Sequence, residues 1–188
     1  MILDNTEYIF DDLHKLPEDL HPRQFSYRSN DQWIMFGGPH SVFNFLSNYF
    51  PQQITHNDIV HDTVEHGYQY SKAMRYKDTA TADRILSART PAIAKQLGSK
   101  VANFDRADWD GMKGDLMQTL LRIKFAQGTK LSELLKETSG KSLAEAGRSR
   151  SFAVGMSLNH KNIFDRTKWA HNGNLLGRSL MMIRDEFN

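Results

Sequence analysis

The segment from Asp108 to Gln127, DWDGMKGDLMQTLLRIKFAQ, carries an apolar pattern that a long helix lying along a core satisfies. Stepped at about 100° per residue, Trp109, Met112, Leu116, Met117, Leu120, Leu121 and Ile123 share one broad arc, and Gly111, Asp115, Gln118 and Arg122 lie opposite. Such a helix spans roughly 30 Å, so the remaining elements must assemble along it. Lys113 and Lys124 fall inside the apolar arc. An ammonium there either snorkels to the rim of the core or is held against a buried anion or substrate.

The other elements are legible from their punctuation. Thr90-Pro91 is a cap followed by proline in the first helical position, and Gly98 sits where a left-handed residue would end a helix over 91–97. Further helices are expected over 63–77, 80–88, 108–127, 129–137 and 173–187. Extended segments are expected at Trp33 to Phe36, Ile59 to Asp62, Ser142 to Glu145 and Phe152 to Leu158. Residues 1–32 are polar and acidic, with Pro17 and Pro22 interrupting a weak leucine spacing, and read as an appended arm. Residues 33–188 read as one compact domain, with no internal repeat or linker. The expected fold class is α+β, helix-rich, with a small β-sheet and an N-terminal extension.

Composition narrows the chemistry. The chain of 188 residues has no cysteine, which removes thiolate metal sites and a cysteine nucleophile from consideration. No apolar run approaches the roughly 20 residues of a membrane span, and the start MILDNTEYIFDDLHKL is acidic where a secretory signal is basic and then apolar. A cytoplasmic location without membrane contact is expected. The formal charge of +2 is too small for a general nucleic-acid coat, so any anionic ligand has to meet a local site and not a general field. Walker, GxGxxG and GxSxG motifs are absent. His56, Asp58, His61 and Asp62 have metal-ligand side chains, but their spacing also fits a surface turn, and no metal or cofactor is expected.

Polar residues in unusual places suggest a site. In EHGYQYSKAMRY, Glu65, Gln69, Lys72 and Tyr76 fall on one helical stripe, which is either a solvated face or the wall of a pocket. In a pocket, Glu65 would serve as general acid or base, Gln69 as an orienting amide, and Lys72 as nucleophile or phosphate partner. Phe43, Phe45, Tyr49, Trp109, Phe152 and Trp169 supply aromatic surface, of which one or two would stack on a flat heterocycle. Arg148 and Arg150, in GRSRS, are either a solvated loop or a phosphate clamp.

At these residues the sequence resembles the YbiA-like, or NADAR, family of N-glycosidases. The resemblance rests on FLSNYFP (45–51), EHGYQYSKA (65–73), TPAIAKQLG (90–98), DWDGMKGDLM (108–117), RIKFAQ (122–127), and Trp169 followed by GNLLGRSLMMIR (173–184). It implies a compact helix-rich α+β domain and cleavage of N-glycosidic bonds in ribosylamino-pyrimidine phosphates of riboflavin biosynthesis. The related implied substrates are ADP-ribose or NAD-derived conjugates, including ADP-ribosyl-guanine, free or carried on nucleic acid. Glu65, Gln69 and Lys72 match the family's signature helix. Trp109, Lys113, Lys124 and Phe125 match a second motif, and Asn174, Gly177 and Arg184 a third. In this reading Lys113 and Lys124 face the site or bind phosphate, and Ser47 and Asn48 either bind ribose hydroxyls or simply form a turn.

One stretch departs from the pattern. Many members place an acid and then Trp-Gly downstream of the glutamate corresponding to Glu145. Here the run is EAGRSRSFAVGM, with Ser149 or Arg150 at the acid's place and Phe152-Ala153 in place of Trp-Gly. Loss of a general acid-base group slows hydrolysis by about 100- to 10,000-fold. The alternative function is therefore a catalytically weakened member that binds and sequesters an ADP-ribose-type or cyclic nucleotide.

Overall fold

The computed structural model describes residues 27–38 and 43–187; residues 1–26 of the expected arm lie outside them. Trp33, Ile34, Met35 and Phe36 are all buried. A strand buried on both faces must lie inside a covered sheet. This strand, β2 (Trp33–Phe36), is the middle of three: β1 (Tyr27–Ser29) pairs antiparallel on one side and β5 (Ser142–Glu145) parallel on the other. Ile34, Phe36 and Leu143 enter the main helical core, while Trp33, Met35 and Ala144 pack with Val154 and Ile163 on the opposite face. β1 falls within the stretch read as an arm.

A second, two-stranded unit joins β3 (Ile54–His56) and β4 (Ile59–His61) through Asn57 and Asp58, whose φ values of 51° and 61° suit a tight hairpin turn. Six helices complete the described residues: α1 (Val64–Arg75), α2 (Thr79–Leu86), α3 (Pro91–Gly98), α4 (Arg106–Lys124), α5 (Lys130–Glu137) and α6 (Leu175–Asp185). Five of these starts follow side-chain caps. Thr63, Asp78, Thr90, Asp105 and Thr129 each accept a backbone N–H from the first turn. α4 begins before the expected Asp108 because Asp105 takes the N–H groups of both Ala107 and Asp108. It carries Trp109, Met117, Leu120 and Leu121 into the main core, as the apolar arc requires.

Two expectations fail for visible reasons. Phe152 to Leu158 contains no strand, because its carbonyls are used singly: Phe152 accepts from Leu176, Ala153 from Asn174 and Val154 from Ala170. The segment thereby caps the start of α6. Gly98 is not a left-handed terminator; it lies inside α3 and lacks a positive φ. What demands glycine there is the side chain of Gln69, which occupies the space that a Cβ would fill.

Asn174 closes the free edge of β5. Its Oδ1 accepts from the Glu145 N–H at 3.1 Å, and its Nδ2 donates to the Leu143 carbonyl at 3.0 Å, so one side-chain amide does what a neighbouring strand would do. Its own φ is 60°. One turn into α6, a Cβ at Gly177 would strike the Leu143 carbonyl, so the helix lies directly against the strand.

Candidate active site

α1 is polar along one stripe and almost wholly buried over its first half. Glu65 is 5% exposed; its N–H donates to the Asn48 carbonyl at 3.1 Å, and its Oε1 accepts from Gln69 Nε2 at 2.8 Å. Lys72 Nζ donates to the Gly98 carbonyl at 2.9 Å and stands 4.1 Å from the centre of the Phe104 ring. These three side chains line a cavity of about 660 Å³. Tyr76, the fourth member of the stripe, turns away and donates to Asp108 Oδ2 at 2.9 Å.

Glu145 enters the same cavity from the carboxyl end of β5, where it continues the core-facing side that Leu143 begins. That is the end of a parallel strand pair at which α/β sheets commonly bind ligands. Burial pushes the Glu145 carboxyl up to about 7; the nearby Lys95 ammonium opposes this and the Glu65 carboxylate adds to it. Burial also raises Glu65, against the Gln69 hydrogen bond and Lys95. The two acids therefore act on each other, and both are held above the usual carboxylate range.

Around this acidic interior the walls are aromatic and the rim is cationic. Tyr68 packs edge-on against Trp109 at 5.1 Å and against Phe152 at 5.3 Å. Lys95, Arg106 and Arg148 line the cavity and are exposed, so they stand at its mouth. Lys113 is half-buried there and pairs with Asp110 at 2.6 Å. Burial and the Arg106 charge lower the Lys72 ammonium, which makes its free amine more accessible. Asn48 lines the cavity too, and its Oδ1 is buried with no hydrogen-bond partner.

The structure thus gathers Glu65, Gln69, Lys72 and Asn48 with Trp109, Lys113, Arg148 and Phe152 at one cavity. Other anticipated residues lie elsewhere. Phe45 is in the core, and Ser47 accepts the Tyr49 N–H within its turn. Lys124 is 3% exposed, donates to the Ser47 carbonyl at 2.7 Å, and is pushed by burial down to about 7. Arg150 is exposed and off the cavity wall. Trp169 packs edge-on against Trp33 and donates to the Ile163 carbonyl. Asn174 serves the edge of β5, and Arg184 Nη1 donates to Thr138 and to the Lys141 carbonyl.

Glu145, Lys95, Arg106 and Tyr68 are among the cavity residues that the sequence reading did not single out as site residues. The available signal for Glu145 was an acid two positions after Leu143 on a strand whose alternation turns that face inward. Among the described residues no group of three or more His, Asp or Glu side chains is arranged to hold a metal. His61 of the earlier candidate set is buried and leaves both ring nitrogens unpartnered.

Comparison with known proteins gives a consistent picture. A domain-family model described as NADAR domain matches residues 24–188. A riboflavin biosynthesis protein of Vibrio vulnificus is 31% identical over 169 residues, covering 86% of this chain but 41% of that protein, so the chain spans about two fifths of its length. A Nostoc punctiforme protein named as an N-glycosidase is 32% identical over 144 residues, covering 77% of this chain and 85% of its own. The solution structure of the Escherichia coli protein YbiA superposes with a TM-score of 0.64 at 24% identity, covering 86% of this chain and 88% of that one, and shares the α+β fold.

Proposed function

The chain belongs to the NADAR domain family, and from that premise we propose that it is an N-glycosidase acting on a small phosphorylated ribosyl or ADP-ribosyl compound. The observation that carries the proposal is the pair of carboxylates, buried Glu65 and half-buried Glu145, raised above the usual carboxylate range inside a cavity with a cationic mouth. Names of relatives support the reaction type: the Nostoc protein is called an N-glycosidase and the Vibrio protein is assigned to riboflavin biosynthesis.

Cleavage of an N-glycosidic bond builds positive charge at the anomeric carbon and negative charge on the departing base. Glu145, titrating near neutrality, is suited to protonate the leaving nitrogen. Glu65, with the Gln69 amide fixing one oxygen, faces the cationic sugar as carboxylate. Water then adds to the anomeric carbon and returns its proton to Glu145. Trp109, Tyr68 and Phe152 offer the surface for the base, and Lys95, Arg106 and Arg148 the charge for phosphate. Asn48, on the cavity wall, would contact a hydroxyl of the sugar.

The lowered Lys72 amine favours a variant of the route, in which Lys72 adds to C1 of the ring-opened imine of a ribosylamine, the base leaves as its free amine, and water then hydrolyses the resulting lysine Schiff base to release the sugar aldehyde and the Lys72 amine. Borohydride would trap that adduct, and no trapped adduct in active wild type removes this branch. Arg148 at the mouth favours a second reading, retention of an intact nucleotide.

The deciding experiment incubates wild type and Glu65→Gln with ribosylamino-pyrimidine phosphates, NAD, ADP-ribose and ADP-ribosylated guanosine. Mass spectrometry then reads released base and bound ligand. Release by wild type and not by Glu65→Gln is the expected result. Tight retention without turnover would overturn hydrolysis in favour of binding.

A further inference from the structure

Lys124 is a buried amine that the proposed chemistry leaves unused. It does not line the cavity, so it cannot touch a ligand there. Its single hydrogen bond goes to the Ser47 carbonyl, 77 positions away in the chain, and the rings of Phe125 and Phe50 lie 5.0 and 5.3 Å from Nζ. No carboxylate pairs with it among the described residues. Enclosing an ammonium with one acceptor and two aromatic faces is costly, and a methionine would fill the same space without that cost.

The amine contributes a fixed link between α4 and an irregular turn. That turn, Ser47 to Tyr49, has few other ties. Ser47 N–H donates to the Asn44 carbonyl, Tyr49 N–H to Ser47 Oγ, Phe50 N–H at 3.2 Å to the same Ser47 carbonyl that Lys124 engages, and the Asn48 carbonyl receives the Glu65 N–H. Asn48, in the middle of the turn, lines the cavity, and its Oδ1 is buried without a hydrogen-bond partner. Any slide of the turn along α4 would carry the Asn48 amide with it and pull on the first turn of α1.

We infer that Lys124 is a positioning residue: its amine ties the Ser47–Tyr49 turn to α4, and so sets the placement of Asn48 and Glu65 without contacting the ligand. The activity readout rests on the N-glycosidase reading, whereas the exchange readout does not.

The test compares wild type with Lys124→Met. Because the chain has no cysteine, Lys124→Cys provides a unique thiol, which 2-bromoethylamine in denaturant, followed by refolding, converts to an amine-bearing lysine analogue. Hydrogen exchange is followed at the Glu65 amide and at Leu120 and Leu121 within α4. The expected result is exchange at Glu65 at least about tenfold faster in Lys124→Met, with Leu120 and Leu121 unchanged. Aminoethylated Lys124→Cys should return towards wild type.

For a substrate cleaved by wild type, kcat/KM should fall about tenfold or more in Lys124→Met. The loss should not add to that of Asn48→Ala, so that the double variant is no worse than the poorer single one. Additive losses, unchanged exchange at Glu65, or exchange that rises equally throughout α4 would overturn the inference. Failure of both Lys124→Met and unmodified Lys124→Cys to fold would also overturn it, by making the amine a requirement of the core. If wild type cleaves nothing, the enzymatic reading fails alone, and the exchange data with aminoethyl rescue still decide the tie.

Discussion

Replacement of Gly98 by alanine tests whether the Glu65 carboxylate depends on its amide neighbour. Gly98 has no positive φ, so alanine fits the helical backbone and favours it by about 0.8–1.0 kcal/mol. The new methyl would, however, overlap the Gln69 amide: an ideal Cβ lies 2.5 Å from its Cδ and 3.0 Å from its Cβ. Gln69 must swing away, and Glu65 then loses the 2.8 Å bond that offsets part of its burial.

A hydrogen bond to a charged group is worth about 1.5–3 kcal/mol. Its loss corresponds to a fall in kcat/KM of roughly 10- to 150-fold at neutral pH if the ionised form is the active one. The sign of the pH effect follows. Gln69 holds the Glu65 pKa down against desolvation, so removing it raises that pKa and moves the acidic limb of the kcat/KM profile to higher pH. Profiles of wild type, Gly98→Ala, Gln69→Leu and the double variant check this, with Tm as the control for folding. Gly98→Ala and Gln69→Leu should give the same displaced limb, with the double variant no worse. A folded Gly98→Ala variant with the wild-type limb and rate would refute the coupling.

Glu145→Gln removes the group pushed up to about 7. A loss of about 100- to 10,000-fold in kcat is expected, together with disappearance of the limb near pH 7, and an unaltered pH profile would remove Glu145 from the proton transfer. His61 is 2% exposed with both ring nitrogens unpartnered, and burial lowers its pKa to about 4 from 6.5. Between those values the unfolded chain binds the proton and the folded one does not, so stability falls as pH drops from about 6.5 towards 4. Melting curves of His61→Leu should therefore show a smaller loss of Tm between pH 7 and pH 5 than wild type, and parallel losses would count against the assignment. Asn174→Ala removes two hydrogen bonds from the β5 edge and replaces asparagine at φ 60° by a residue that tolerates the left-handed region less well. Urea unfolding should show about 2–4 kcal/mol less stability, with Asn174→Gly recovering only the backbone part; full recovery by glycine would mean the edge bonds contribute little.

The Glu65, Gln69 and Lys72 stripe was legible because a helix repeats its faces over spacings that a short sequence displays. Lys113 and Lys124 share an arc yet differ in fate. Helix geometry fixes where each points, but not what lies over it: the open cavity for Lys113, which pairs with Asp110 one turn back on its own helix, and Ser47 and Phe50 from distant chain for Lys124. Glu145 escaped notice as a site residue because a strand of four residues shows each face only twice, and the groups that steady and charge it, Asn174 and Lys95, are remote in sequence. Phe152 to Leu158 looked extended because its composition suits a strand; the pairing partners that would have made it one are instead scattered over residues 145 to 176.

The side-chain amide of Asn174 has one more consequence, for association. A sheet grows, or recruits a stranger, where backbone donors and acceptors are left open at its border. On the β5 side the Glu145 N–H and Leu143 carbonyl are already taken and α6 lies across them. Among the described residues, the order β1-β2-β5 then leaves the outer side of β1, across the sheet from the strand that carries Glu145, as the side of this sheet where a strand would add. A peptide or second copy joining there would lengthen the sheet and leave the carboxylate pair undisturbed.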